Sequence, residues 1–119
     1  MPDVPADCLF CRIVKGEIPA TVVQETDRTL AFRDIGPKAP VHVLVIPKEH
    51  HEDVASLAAA DPALAGEVLA TAGAVAKAEG LLEQGYRTIF NTGQHGGQEV
   101  LHVHAHVVGG AQLGPMLVR

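Results

Sequence analysis

The chain has 119 residues, the size of one domain, and 47% of them are apolar, enough to build a buried core. Aromatic residues make up only 3% and Trp is absent, so that core must be Val, Leu, Ile and Ala. A formal charge of −5 denies the chain the basic face of a general nucleic-acid binder, and no apolar run is long enough for a membrane span; a mononucleotide stays open, because a few backbone N–H groups can hold one phosphate.

Residues 1–7 are acidic and contain proline, unlike a secretory leader, and are expected to be flexible. Residues 8–15 read as a short turn or helix that ends at Gly16-Glu17-Ile18-Pro19. Cys8 and Cys11 are the only cysteines. Three positions apart, they make no secreted disulfide framework; a thiol pair or a metal half-site in a reducing cytoplasm is the expectation. Residues 21–25 and 30–34 are β-rich and separated by Thr26-Asp27-Arg28, which predicts a hairpin. Residues 36–40 are loop. Residues 41–46 are apolar on both pleat faces except at His42, the pattern of a central strand closed by Pro47.

Asp61-Pro62 is a helix start, with Asp as cap and Pro in the first turn. From there to about Glu79, Leu64, Val68, Ala72 and Val75 recur at helical spacing, and Gly80 ends the run. Residues 86–91 predict another strand, 92–98 a Gly-rich loop, and 100–108 the last strand. Strands, one long helix, then strands predict an α+β domain over residues 1–119: an antiparallel sheet with the helix packed on it and residues 111–119 as a C-terminal tail.

His102, His104 and His106 alternate strictly with Val103, Ala105 and Val107. In a strand that period puts the histidines on one face, outward or into a cleft, and the small apolar residues under the helix. A lone strand histidine is most often a wet polar residue; three at this spacing are not accounted for that way. The outer two Cα atoms stand roughly 13 Å apart, whereas zinc holds nitrogen at about 2.0–2.1 Å. A single ion cannot easily take all three, so the row is expected to divide its labour. Imidazole is a nucleophile when neutral, and it binds phosphate oxygens or protonates a leaving group when charged. The loop at residues 91–100, with Gly96 and Gly97, would be the phosphate cradle; it lacks the Lys or Arg of a triphosphate site. Asp34, flanked by Phe32 and Ile35, is either a ribose-hydroxyl acceptor or a solvated strand end. Cys8 and Cys11 would form half of a Cys₂His₂ zinc site, with His50, His51 and His102 as candidates for the rest.

These residues together resemble the histidine-triad (HIT) family, whose signature is His-x-His-x-His followed by two apolar residues, here at 102–108. The segments at 8–19, 30–35, 39–48 and 96–98 resemble its HINT-like branch. The resemblance implies a HIT-like α+β fold, with the sheet extended across a homodimer. It also implies a cytoplasmic, nucleotide-binding hydrolase that cleaves purine nucleoside 5′-phosphoramidates through a nucleotidyl-histidine intermediate. His104 would be the nucleophile, His106 would bind phosphate oxygens and His42 would stand beside them. Asn91, Gly97, Gln98, Glu99 and Val100 would line the phosphate. Asp34 would hold the ribose, and Phe10, Phe32 and Ile35 would flank the base. Cys8, Cys11, His50 and His102 match the ligands of a structural zinc, and no organic cofactor is implied. Two departures stand out: Glu99 replaces a Ser or Thr, and the tail lacks an aromatic-proline ending. The alternatives are a dinucleoside polyphosphate hydrolase and a nucleotide-binding regulatory module with weak catalysis.

Overall fold

A computed structural model describes residues 7–117. The expected flexibility of residues 1–6, and the last two residues of the tail, lie outside the described residues. The chain runs α1 (Leu9–Val14), β1 (Val22–Glu25), β2 (Thr29–Arg33), β3 (Val41–Pro47), α2 (Val54–Ala60), α3 (Pro62–Ala78), β4 (Tyr86–Phe90) and β5 (Ala105–Gly109). The five strands form one sheet in the order β1-β2-β3-β5-β4, with every pair antiparallel.

The long helix follows from local chemistry. The Asp61 side chain accepts the Leu64 N–H at 3.0 Å and caps α3, and proline opens its first turn. Leu64, Val68, Ala72 and Val75 lie on one face and are all buried. They pack on Ala31, Val43, Val45, Val103, Ala105 and Val107, which form one face of the sheet. Each large apolar side chain buried there contributes roughly 1.5–3 kcal/mol. Arg28, in the hairpin turn, bonds Asp61 at 2.6 Å and Glu67 at 3.1 Å, fastening the hairpin to the start of α3.

The opposite face carries a second cluster. Leu30, Phe32, Leu44 and Ile46 point there, and α1 covers them with Phe10 and Cys11. The sheet is therefore sandwiched, with the Ala-rich helix on one side and a short aromatic and cysteine-bearing helix on the other.

Three expectations need correction. The last strand begins at Ala105 rather than Val100. Residues 100–104 lead into it without ladder pairing, although the Val103 N–H reaches the His51 carbonyl at 2.8 Å. The alternation of faces survives, because Val103 packs on the α3 side while His102 and His104 lie against Phe10. Of the two readings of the histidine face, the cleft is the one seen: His102 and His104 are buried and lie against Phe10 of α1. Finally, α2 has no counterpart in the sequence reading. Asp53 caps it, accepting the Ser56 N–H at 2.9 Å; that Asp-x-x-Ser start was the available signal. Asp34 falls one residue past β2 rather than inside the strand.

Candidate active site

His106 lies in β5, opposite Leu44 on β3 and Ile89 on β4. His42 lies in β3, two residues before Leu44, and reaches His106 across the sheet with Nε2 to Nδ1 at 2.9 Å. The ring protons can be placed from their partners. The Lys38 N–H donates to His42 Nδ1 at 3.1 Å, so a neutral His42 carries its proton on Nε2 and donates it to His106 Nδ1. His106 in turn carries its proton on Nε2, which is buried and has no partner among the described residues. A buried N–H that ends a chain of bonds and meets nothing has the character of a donor awaiting an anion.

His104 has the opposite polarity. Its Nδ1–H donates to the His102 carbonyl at 2.8 Å, leaving the Nε2 lone pair free. Phe10 stands edge-on to it, with ring centroids 5.1 Å apart and the planes at 90°. His104 and His106 are neighbours, with centroids 4.9 Å apart. One ring therefore presents a lone pair and the next a proton.

Burial favours the neutral imidazoles. It pushes the His106 pKa down to about 4, with help from His104 and His42 and against the pull of Asp34. Burial also lowers His42, partly offset by the Asp34 carboxylate 3.6 Å away. His106 is thus a neutral donor at pH 7. What His106 offers an anion is therefore a neutral N–H and not an imidazolium.

A cavity of ≈ 320 Å³ opens beside these rings. Phe10, Phe32 and Ile35 line it, as do Asp34, Asn91, Gly97, Glu99 and Val100, together with His104 and His106. Gln98 does not line it. Its side chain ties the loop together, donating to the Glu52 carbonyl at 2.6 Å and the Val100 carbonyl at 3.0 Å and accepting the Gly93 N–H at 3.0 Å. His42 supports the cavity from behind His106. Leu9, Ile13, Ile18 and Leu44 extend the apolar wall and were missed from the sequence. The i, i+4 spacing of Leu9 and Ile13 on a helix was the signal for two of them. Gly97 has φ +78°, a conformation glycine adopts without strain, and Asp34 holds the Gly36 N–H at 2.7 Å.

At the other end of the row, Cys8, Cys11, His50 and His102 bring their ligand atoms within 4.8 Å of one another. Cys11 Sγ stands 3.4 Å from His50 Nδ1 and 3.5 Å from His102 Nδ1, Cys8 Sγ is 3.5 Å from His102 Nδ1, and the two Nδ1 atoms are 3.2 Å apart. A tetrahedral zinc bound by sulfur at about 2.3 Å and nitrogen at about 2.05 Å has S···N edges of about 3.5 Å and N···N edges of about 3.3 Å. The donor set fits such an ion. His102 Nε2 donates to the Pro47 carbonyl at 2.8 Å, which orients the ring and turns Nδ1 toward the sulfurs. The Cys11 N–H donates to Cys8 Sγ at 3.4 Å. His51 belongs elsewhere, with its Nε2 2.7 Å from Glu49.

The HIT domain matches residues 15–113. A protein of Escherichia coli K12 named purine nucleoside phosphoramidase is 44% identical over 111 residues, covering 93% of each chain. A HIT family hydrolase from Clostridium thermocellum superposes with a TM-score of 0.91 at 41% identity, covering 97% of this chain and all of its own. The crystal structure of a HIT family hydrolase from Legionella pneumophila Philadelphia 1 gives 0.85 at 52% identity, covering 89% of this chain and 95% of that one. The chain belongs to the HIT family, and these similarities are to members named for hydrolytic activity.

Proposed function

We propose that the protein hydrolyses purine nucleoside 5′-phosphoramidates or related nucleotide conjugates, with His104 as nucleophile. The observation that carries this reading is the opposed polarity of adjacent rings: a free Nε2 lone pair on His104 beside an unpartnered Nε2–H on His106. The apolar wall of Phe10, Phe32 and Ile35 takes the base and Asp34 the ribose hydroxyls. Asn91, Gly97 and Val100 border the phosphate while Gln98 holds their loop in shape. The His104 lone pair forms a bond to phosphorus as the P–N bond breaks, the departing amine taking its proton from solvent. Water then cleaves the nucleotidyl-histidine and releases the nucleoside monophosphate. His106 donates to a phosphate oxygen throughout, held in register by His42 and the Lys38 N–H. The name of the Escherichia coli relative supports the substrate class.

Cys8, Cys11, His50 and His102 would hold a structural zinc, four protein ligands leaving no position for a reacting water. A homodimer continuing the sheet is part of the same reading. β4 is an unbulged edge strand, whereas the β1 edge is interrupted between Val22 and Gln24. A reducing, cytoplasmic setting suits two free thiols gathered at a metal site.

The test is to trap the intermediate. Incubation with adenosine 5′-phosphoramidate followed by acid-free quenching should add one nucleotidyl mass to the intact protein, mapping to His104. Turnover without that adduct, and with His104→Ala still active, would remove the nucleophile assignment.

A further inference from the structure

The cavity's charge is unusual for a site that binds an anion. Among the residues lining it, the charged side chains are Arg33, Asp34 and Glu99. Arg33 is neutralised by a two-point bond to Glu79, at 2.9 and 3.0 Å. Asp34 accepts the Gly36 N–H, faces His42 and is assigned above to the ribose hydroxyls. Glu99 makes no hydrogen bond or ion pair among the described residues, and it is exposed. Its backbone is nevertheless held in place. On one side Gln98 is tied to three loop groups, and on the other Val100 packs against the cluster of Cys8, Phe10 and Leu44. The backbone that carries this carboxylate is thus held at the exposed edge of the cavity, while His104, the proposed nucleophile, is buried at its inner end.

Displacement at phosphorus is in line, so a nucleophile at the floor expels the leaving group toward the rim. Resting on the function proposed above, we infer that Glu99 selects the leaving group by charge, favouring amines that carry a further positive charge and rejecting carboxylates and polyphosphates. The P–N bond breaks with its electron pair going to nitrogen, which takes one proton from water to leave as the neutral amine and a second to become an ammonium ion. That cation emerges beside the Glu99 carboxylate, whereas a nucleotide leaving group would bring like charge to it. The same residue therefore separates a phosphoramidate hydrolase from a dinucleoside polyphosphate hydrolase.

The experiment compares kcat/KM for adenosine 5′-phosphoramidates of three amines: 1,3-diaminopropane, propylamine and β-alanine. Diadenosine triphosphate is the fourth substrate. The wild-type protein should rank them in that order, with diadenosine triphosphate last. The ammonium-to-carboxylate ratio should reach about tenfold or more, as expected for unit charges a few ångströms apart at a wet rim. The ratio should shrink as salt is raised. Glu99→Gln should collapse it toward one and Glu99→Lys should invert it, with thermal melting confirming that both variants are folded. A ratio unchanged in Glu99→Gln, with propylamine still released, overturns the inference and leaves the function intact. Failure of the wild-type protein to release propylamine or form the His104 adduct overturns both.

Discussion

His106→Gln provides a quantitative test of the buried imidazole pair. In the native protein His106 accepts the His42 Nε2–H, and burial holds its pKa near about 4. In the unfolded chain it returns to about 6.5. Between these values the unfolded state binds more protons than the folded one, so stability rises with pH. The stability associated with neutral His106 is fully present above about pH 6.5 and is lost as pH falls toward about 4. The slope for one such group approaches about 1.4 kcal/mol per pH unit. Glutamine offers an amide oxygen to His42 but does not titrate. At pH 7 the variant should lie within about 1 kcal/mol of the wild type, the worth of a re-aimed hydrogen bond. At pH 5 the balance should have moved in its favour by about 2 kcal/mol. Urea unfolding at pH 7, 6 and 5, with m-values compared, measures both numbers. Loss of metal in acid affects both proteins alike, so the difference between them isolates His106. A difference that stays constant across this range would show that His106 is not held neutral by burial.

The other expected outcomes are more direct. His104→Ala should lower kcat by at least about a thousandfold, as loss of a nucleophile does, while adenosine monophosphate binding measured by calorimetry persists. Cys8→Ser should abolish the roughly one equivalent of zinc expected to copurify with a four-ligand site. It should also lower Tm by at least about 10 °C, the linkage effect of losing a tightly bound ligand from a domain of this size. Gly96→Ala should disturb the loop, because an added Cβ would strike the Thr92 carbonyl oxygen and stand 3.0 Å from the Thr92 nitrogen; KM should rise more than Tm falls.

Some of this was legible in the residues alone because it depends on period and local chemistry. The long helix was marked by Asp61-Pro62 and by four apolar residues at helical spacing, all buried in one face. Alternation at 102–107 correctly separated the histidines from Val103, Ala105 and Val107, even though ladder pairing starts only at Ala105. Partnerships made across the fold were not legible. That His42 meets His106, 64 positions away, depends on β3 pairing with β5. The tautomers depend on the Lys38 N–H and the His102 carbonyl, which no side-chain pattern reports. The burial of His102 and His104 depends on α1 folding back so that Phe10 lies against both rings. Gln98 resembles a ligand in sequence and serves as a loop tie in space.

The two ends of the histidine row are joined through a single residue. The His102 side chain enters the Cys8, Cys11 and His50 cluster, while its carbonyl accepts the His104 Nδ1–H. Pro47 fixes the far side of the same ring, and the His51 carbonyl holds the next backbone N–H, that of Val103. His102 is therefore restrained at its side chain and at the adjoining backbone. Its carbonyl determines which nitrogen of His104 carries the proton. The stretch before Ala105 is unladdered, so the ring does not share that carbonyl with a neighbouring strand. A metal at the cysteines would act on the chemistry without touching substrate, by keeping His102 where its carbonyl leaves the His104 lone pair directed at phosphorus.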